Sequence, residues 1–230
     1  MIAARRLAVA LPRPDERPRP QARARGGASW RPLVLALAAT AAAALLPFVV
    51  LVRAGAFFHV RCGLGTWPAL LLSAATTTLI LSAYGWAASR RFHWRPVKIS
   101  AAAVAAFCLY ALFCVAPSRV KDANVRLRYG GVHPLLRLGT AVVALFDGQV
   151  LVTDGSRVRA DYAEMGLPAE ERSLHFRRAN GYAYAMDIRT AGRGFLRNAT
   201  TAALFRFLGF RVLRHVGTAD HLHVSLPGAP

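Results

Sequence analysis

Cysteine is scarce in this chain and is absent from its C-terminal half. The chain has 230 residues, and its three cysteines stand at positions 62, 108 and 114. Residues 117–230 therefore contain neither a disulfide framework nor a thiolate zinc site.

Acidic residues are also scarce, and they are unevenly distributed. The chain has 11 Asp and Glu against 30 Lys and Arg, a formal net charge of +19, and residues 32–116 contain no acidic residue. A nucleic-acid-binding protein would place its basic residues on a folded face together with aromatic rings. Here much of the basic excess flanks apolar segments, which predicts a membrane protein with no nucleic-acid partner.

Three long uncharged apolar runs cover residues 33–52, 67–88 and 100–116. The first run would form about 30 Å of helix, which is enough to cross a bilayer. We therefore expect residues 32–116 to be a membrane region with three transmembrane helices in a lipid bilayer. No charged residue lies inside a run, so the runs suggest no ion or proton path.

The basic residues predict the orientation of these helices. Residues 1–31 carry eight arginines among many prolines and are expected to form a disordered basic tail. Since positive charge favours the cytoplasmic side, this tail and the basic stretch 90–98 should face the cytoplasm. The loop 53–66 carries only two arginines and should lie outside. Residues 117–230 would then form a domain in the periplasm or its equivalent.

Near the C-terminus, residues 219–226 alternate between polar and apolar, which predicts a β-strand. The apolar face of this strand suits a hydrophobic core. His221 and His223 share the other face and point toward one spot. That geometry suits a metal ion with a proton-transfer group beside it. A solvated polar face is the simpler alternative.

A second alternating segment, residues 182–188, places Asp187 on a face otherwise made of alanines. A carboxylate in such a place is costly to bury unless a positive charge neutralises it. A zinc ion bound by His175, Asp187 and His223, with a fourth position left to water, would be a catalytic pattern. An arginine paired with Asp187 is the alternative.

Four short motifs follow one another in an order known from one enzyme family. They are Val132–Arg137, Thr153-Asp154-Gly155-Ser156-Arg157, Ser173-Leu174-His175 with Gly181–Thr190, and His221-Leu222-His223-Val224. Together they resemble the zinc D,D-peptidases of the D-alanyl-D-alanine carboxypeptidase family, which share a fold with lysostaphin-type endopeptidases and the Hedgehog signalling domain. The resemblance covers roughly residues 125–227, about half of the chain.

This resemblance implies a zinc peptidase that acts on peptidoglycan peptides as a carboxypeptidase or an endopeptidase, and the three apolar runs add a membrane anchor to it. It implies the bacterial inner membrane as the location, with the C-terminal domain in the periplasm. His175, Asp187 and His223 would be the metal ligands, and Ser173 and Arg157 would bind substrate. A guanidinium such as that of Arg157 matches a substrate carboxylate bidentately.

One departure from the family concerns the first metal ligand. The family pattern is Ser-x-His-x-x-Gly-x-Ala-x-Asp, whereas His175 and Asp187 are twelve residues apart (187 − 175). At the family's spacing the ligand position would be Asn180, a poor zinc ligand. We interpret residues 177–181 as an inserted loop that leaves His175 as the ligand. The alternative is a catalytically inactive, membrane-anchored cell-wall-binding module on the same fold.

A second departure concerns the proton-transfer group. Asp220 precedes His223 by three residues, where many relatives carry a glutamate base. Other branches of the wider fold use the first histidine of His-x-His, which here is His221. We therefore expect either Asp220 or His221 to transfer the proton.

For residues 117–230 the sequence predicts an α+β domain with a small, mostly antiparallel sheet and flanking helices, preceded by the three transmembrane helices. The expected elements are a linker over 117–131, helices over 133–146 and 198–208, a charged loop over 158–172, and strands over 149–153, 182–188, 210–214 and 221–226. Asn198 is the expected N-cap of the second helix.

Overall fold

The computed structural model of the protein describes residues 30–114, 119–217 and 219–228. Nearly all of the expected N-terminal tail, residues 1–31, lies outside them. The elements in chain order are α1 (Arg31–Val60), α2 (Thr66–Ser89), α3 (Trp94–Phe113), α4 (Ala123–Tyr129), α5 (Pro134–Phe146), β1 (Val152–Asp154), α6 (Arg159–Glu164), β2 (Ala185–Arg189), α7 (Phe195–Phe207), β3 (Arg211–His215) and β4 (His221–Ser225).

The first two apolar runs of the sequence lie within α1 and α2, and α3 covers residues 100–113 of the third run. Each of these helices is long and apolar enough to cross a membrane, with mean hydropathy values of 2.5, 1.4 and 1.8 over the most apolar part of α1, α2 and α3. The helices extend beyond the predicted runs, because α1 continues to Val60 and α3 already begins at Trp94. Helix formation does not require the absence of charge, so the end of an apolar run does not mark the end of its helix.

The rest of the chain forms the predicted α+β arrangement around a four-stranded sheet. The strand order is β1-β2-β4-β3, and all three strand pairs are antiparallel. One face of the sheet is buried against the helices, where Met186 and Ile188 of β2 and Val224 of β4 are fully enclosed. Strand alternation therefore turns the neighbouring side chains of β2 and β4 toward the opposite face.

Two expected loops contain short helices. The predicted linker 117–131 contains α4, whose first turn is capped by the Asp122 carboxylate accepting from Val125 N at 2.8 Å. The predicted loop 158–172 contains α6, where the Asp161 carboxylate accepts from Val158 N at 2.7 Å. Acidic side chains at a helix start satisfy backbone N–H groups that have no partner within the helix. For residues 158–172 the sequence analysis took charge as typical of a loop, whereas one of the acidic residues, Asp161, caps a helix.

The prediction that Asn198 caps the helix expected over residues 198–208, which is α7, is wrong. That helix begins at Phe195, with Gly194 at the N-cap position, and Asn198 lies buried inside its first turn. The Asn198 side chain donates to the main-chain oxygens of Thr190 and Arg193, at 3.2 and 3.3 Å. It therefore anchors the preceding loop to the helix.

The domain packs directly against the apolar helices within one compact unit, Thr40–Pro230. Helix α5 is apolar and buried on all sides over most of its length, as expected for a helix enclosed by other elements. Polar contacts accompany this packing: Arg53 Nη1 donates to Phe207 O at 3.0 Å, and Thr66 Oγ1 lies 3.0 Å from His133 Nε2. His133 also caps α5, because its Nδ1 accepts from Leu135 N.

The end of α5 is joined to α7 by a buried carboxylate. Asp147 accepts hydrogen bonds from Thr201 Oγ1 at 2.6 Å and from Gln149 N at 3.1 Å, and it pairs with Arg193. Burial opposes ionisation of Asp147, but these hydrogen bonds and the Arg193 charge outweigh it and hold the carboxyl pKa below its usual value. The ionised form therefore stabilises the fold.

We expect Asp147→Asn to lower the free energy of unfolding by roughly 2 kcal/mol near neutral pH, because it removes the anion that these donors surround. Since the folded pKa of Asp147 is depressed, this stabilisation is present above the ordinary carboxyl pKa of about 3.9 and is lost as the pH falls below it. Denaturant unfolding of the full chain in detergent, at about pH 7 and about pH 3, measures both effects.

Glu171→Gln is the matched control, since its carboxylate pairs with Arg159 on the surface, where ion pairs contribute roughly 0–1 kcal/mol. An Asp147→Asn effect no larger than that of the control, or one that is the same at both pH values, would contradict the assignment.

Candidate metal centre

Two of the three predicted ligands are brought together by the register of the sheet. Asp187 of β2 and His223 of β4 are direct cross-strand partners. Both stand on the face opposite the core, as the alternation of the two segments predicted. Side chains at directly opposite positions of antiparallel strands have Cβ atoms about 4.5–5.5 Å apart, so this register suffices to bring the carboxylate and the imidazole into contact.

The third ligand, His175, comes from a loop that main-chain hydrogen bonds hold in place. Arg157 N donates to His175 O at 2.7 Å, and Arg177 N donates to Arg157 O at 3.0 Å, which forms a short parallel bridge. The hydroxyl of Ser173 accepts from His175 N at 3.3 Å. Ser173, predicted to bind substrate, thus supports the turn that carries His175.

The three side chains meet at distances that suit a small metal ion. His175 Nε2 lies 3.3 Å from Asp187 Oδ1 and 3.3 Å from His223 Nδ1, and His223 Nδ1 lies 3.0 Å from Asp187 Oδ1. Around a tetrahedral zinc ion with bonds of about 2.0–2.1 Å, ligand atoms are about 3.3–3.4 Å apart. His175, Asp187 and His223 are therefore spaced as the three protein ligands of such an ion would be.

A main-chain carbonyl orients the His175 ring. His175 Nδ1 lies 2.8 Å from Gly155 O and donates its proton to it, so Nε2 is the nitrogen that faces the cluster and that a metal ion would bind. This is the arrangement expected of a metal-binding imidazole, whose other nitrogen donates to a carbonyl or carboxylate. The Gly155 carbonyl has no sequence signature as a ligand-orienting group, because any residue carries one.

The electrostatics of the cluster centre on the Asp187 carboxylate. Burial opposes its ionisation, but hydrogen bonds from His175 and His223 outweigh burial and hold the Asp187 pKa well below its usual range. Burial likewise disfavours the His175 imidazolium, but Asp187 outweighs it and raises the pKa of His175. Among the described residues, all ion-pair partners of Asp187 are histidines, so the alternative of an arginine partner does not describe this site.

The extra residues between His175 and Asp187 form a closed turn outside the cluster. Gly181 N donates to Arg178 O at 2.8 Å, and Gly181 adopts a φ of +83°, which glycine takes at little cost. Asn180 donates from Nδ2 to the Tyr184 hydroxyl at 2.7 Å and makes no ligand-like approach to Asp187. This geometry agrees with an insertion that keeps His175 as the candidate ligand.

Of the two candidate proton-transfer residues, the structure places His221 beside the cluster. His221 Nε2 lies 3.6 Å from Asp187 Oδ2, while its Nδ1 faces Ala219 O. The His221 ring stacks on His215, with ring centroids 4.9 Å apart. His215 is the cross-strand partner of His221 in the β3–β4 hairpin, and the register of the hairpin accounts for this contact.

Asp220 and Arg157, the other predicted site residues, are each engaged in an ion pair. The Asp220 carboxylate is held by Arg214 at 2.8 and 3.2 Å on the domain surface. Arg157 pairs with Asp154, and its guanidinium lies 5.7 Å from the centre of the Tyr162 ring. The Asp154–Arg157 pair adjoins the cluster through the sheet, since Asp154 is the β1 partner of Asp187.

Comparison with known proteins does not assign the chain to a family. No protein-family model, no curated protein and no solved structure matches it. The interpretation of the cluster therefore depends on its own geometry and on the chemistry of its donor atoms.

We expect the full chain, purified in detergent, to hold about one zinc ion per molecule. Asp187→Asn and His223→Ala each remove a ligand, and each should weaken zinc binding by roughly 100-fold or more. Metal content after dialysis, with zinc titration against a competing chelator, measures the change.

Asp220→Asn is the matched control, because it changes a carboxylate only a few residues from His223 that is paired with Arg214. Its zinc affinity should equal that of the unmodified chain. A wild-type chain that retains no zinc, or an equal loss in all three variants, would refute the metal centre.

Proposed function

We propose that this protein is a membrane-anchored zinc metallopeptidase that cleaves the peptide part of peptidoglycan, as a D,D-carboxypeptidase or endopeptidase. Its α+β domain would share the fold of the D,D-peptidases and the Hedgehog domain. The observation that carries the proposal is the convergence of His175, Asp187 and His223 within 3.3 Å of one another, with His221 beside them.

The donor set fits a catalytic zinc ion better than a structural one. Two imidazoles and one carboxylate leave a fourth tetrahedral position open, whereas structural zinc sites are usually closed by four protein ligands. A zinc ion held here would supply Lewis-acid polarisation of the scissile carbonyl and would lower the pKa of a water molecule. His175 Nε2, Asp187 Oδ1 and His223 Nδ1 are the atoms that would hold it.

His221 is the side chain best placed to move the proton. Its Nδ1 donates to Ala219 O, so Nε2 is the basic nitrogen, and this nitrogen faces the cluster. His221 Nε2 would accept the proton of the attacking water and pass it to the leaving amine. Asp187 Oδ2, at 3.6 Å, would stabilise the imidazolium formed in between.

Two features beside the cluster suit a peptide with a free carboxylate. Asp154 holds the Arg157 guanidinium in place, and the five N–H donors of an arginine leave further groups for a substrate carboxylate. On the other side, Leu213 is the cross-strand partner of His223 and is 61% exposed, which provides apolar surface for a substrate side chain. Residues 117–230 also carry a net charge of +7 (16 basic − 9 acidic), which favours an anionic wall polymer.

The proposed location follows from the basic segments that flank the apolar helices. With the N-terminus and residues 90–98 in the cytoplasm, three crossings bring the domain to the outer side of the bacterial inner membrane. Peptidoglycan peptides lie on that side. The domain also packs against the helices, which would keep the site at a set height above the lipid surface.

We expect the full chain to cleave purified muropeptides in the presence of zinc and to lose this activity with a chelator. His221→Gln should lower kcat by roughly 100-fold or more while zinc binding is retained, because it removes the proton-transfer group and leaves the ligands. Asp220→Asn should remain close to wild-type activity. Mass spectrometry of the digest identifies the bond that is cut.

Two results would count against this mechanism. A zinc-loaded chain that binds muropeptides without cleaving them would favour the inactive binding module. Equal activity of His221→Gln and the unmodified chain would remove His221 from the reaction and return the role to Asp220 or another group.

The proposed orientation predicts that Cys62, exposed in the loop between α1 and α2, faces the outer side. A membrane-impermeant maleimide should therefore label Cys62 in intact spheroplasts of a Cys114→Ser variant. A Ser89→Cys substitution at the end of α2, next to the loop between α2 and α3, in a chain without Cys62 and Cys114, should be labelled only after permeabilisation. The reverse pattern would show that the domain lies in the cytoplasm.

A further inference from the structure

A buried arginine stands where α3 meets the domain. Arg137 on α5 is 8% exposed, and its Nη1 donates to the main-chain oxygen of Leu112, near the end of α3, at 2.8 Å. Its Nε atom is buried and has no hydrogen-bond partner among the described residues. The hydrogen bond to the end of α3 uses one of the five N–H donors of this guanidinium, and it does not account for the burial of the other donors.

The charge of Arg137 has no carboxylate to balance it. None of the described Asp and Glu residues forms an ion pair with Arg137, and the segment 115–118 contains no acidic residue. Burial disfavours the charge of Arg137 and lowers the pKa of its guanidinium, and the nearby Tyr129 and Tyr182 only partly offset this effect. A buried arginine cannot shed its proton, so a site of this kind is expected to take up an anion.

Arg137 lines an open cleft of about 460 Å³ at this end of α3. Arg126 of α4 lines the same cleft and adds a second guanidinium. Tyr110 and Phe113 of α3 form its apolar side and are 53% and 72% exposed. The cleft thus combines two cations with apolar surface at the end of a helix that is long enough to cross a membrane.

We propose that this cleft binds the phosphate-bearing headgroup of an anionic lipid. Arg137 and Arg126 would donate to the phosphate oxygens, and the acyl chains would run along Tyr110 and Phe113. Guanidinium groups bind phosphate through paired, charge-assisted hydrogen bonds, and the end of a membrane-crossing helix lies at headgroup level. The inference depends on α3 crossing a bilayer and is independent of the peptidase activity.

Native mass spectrometry of the full chain in a neutral detergent tests the lipid preference. Phosphatidylglycerol and phosphatidylcholine with the same acyl chains are supplied together. We expect the unmodified chain to retain phosphatidylglycerol roughly tenfold more strongly. Arg126→Gln, at an exposed position, and Arg137→Lys, which keeps the charge but not the planar fork, should each reduce this retention several-fold.

Arg172→Gln is the matched control, because it removes one exposed arginine of the domain that does not line the cleft. Its lipid retention should be unchanged. Equal retention of the two lipids, or an equal loss in Arg172→Gln and Arg126→Gln, would show that only the overall positive charge is measured and would overturn the proposal.

Cys114 provides a readout at the cleft itself, since it is exposed and lines the cleft. In a Cys62→Ser variant, we expect phosphatidylglycerol to slow alkylation of Cys114 roughly tenfold relative to phosphatidylcholine, because a bound lipid covers the thiol. Inorganic phosphate at the same concentration should give no protection. Equal protection by inorganic phosphate would assign the cleft to a free oxyanion, and no protection by phosphatidylglycerol would exclude lipid from it.

Discussion

The buried carboxylate of Asp187 is the constraint on which the candidate site depends. A carboxylate that is 9% exposed requires positive charge or donated hydrogen bonds around it. Three imidazoles provide them, those of His175, His221 and His223, each within 3.6 Å. The imidazoles that neutralise the carboxylate also bring together, at one point, side chains that could bind a metal ion, and the candidate metal centre consists of these groups.

The scaffold holds the four side chains through backbone hydrogen bonds. Strands β2 and β4 fix Asp187 against His223, and the bridge between Arg157 and Phe176 fixes the loop that carries His175. The Gly155 carbonyl then sets the direction of the His175 ring. Main-chain hydrogen bonds thus set the positions of the strands and of the loop that carry the candidate ligands.

Strand β2 also connects the candidate metal centre to the apolar helices. The chain just before β2 pairs with the start of α5, since His133 N donates to Ala183 O at 2.9 Å, and His133 in turn contacts Thr66 at the start of α2. Helix α5 carries Arg137 to the end of α3. One buried helix therefore lies between the apolar helices and the sheet, and its packing sets the position of the candidate metal centre relative to the apolar helices.

The sequence by itself determined the features that depend on local periodicity and composition. Short windows of the sequence contain the three apolar runs and the alternation that places Asp187 and His223 away from the core. The structure has long apolar helices at the runs, and it pairs Asp187 with His223 on the face opposite the core. Only the tertiary structure decided that His175 reaches the cluster while Asn180 binds Tyr184. It also decided that His221, and not Asp220, faces the cluster. The burial of Arg137 without a carboxylate partner was likewise visible only in the structure. The position of His175 depends on main-chain hydrogen bonds between separate segments of the chain, such as the bond from Arg157 N to His175 O. Nearly every residue carries the main-chain groups that form such bonds, so these bonds leave no pattern in the sequence.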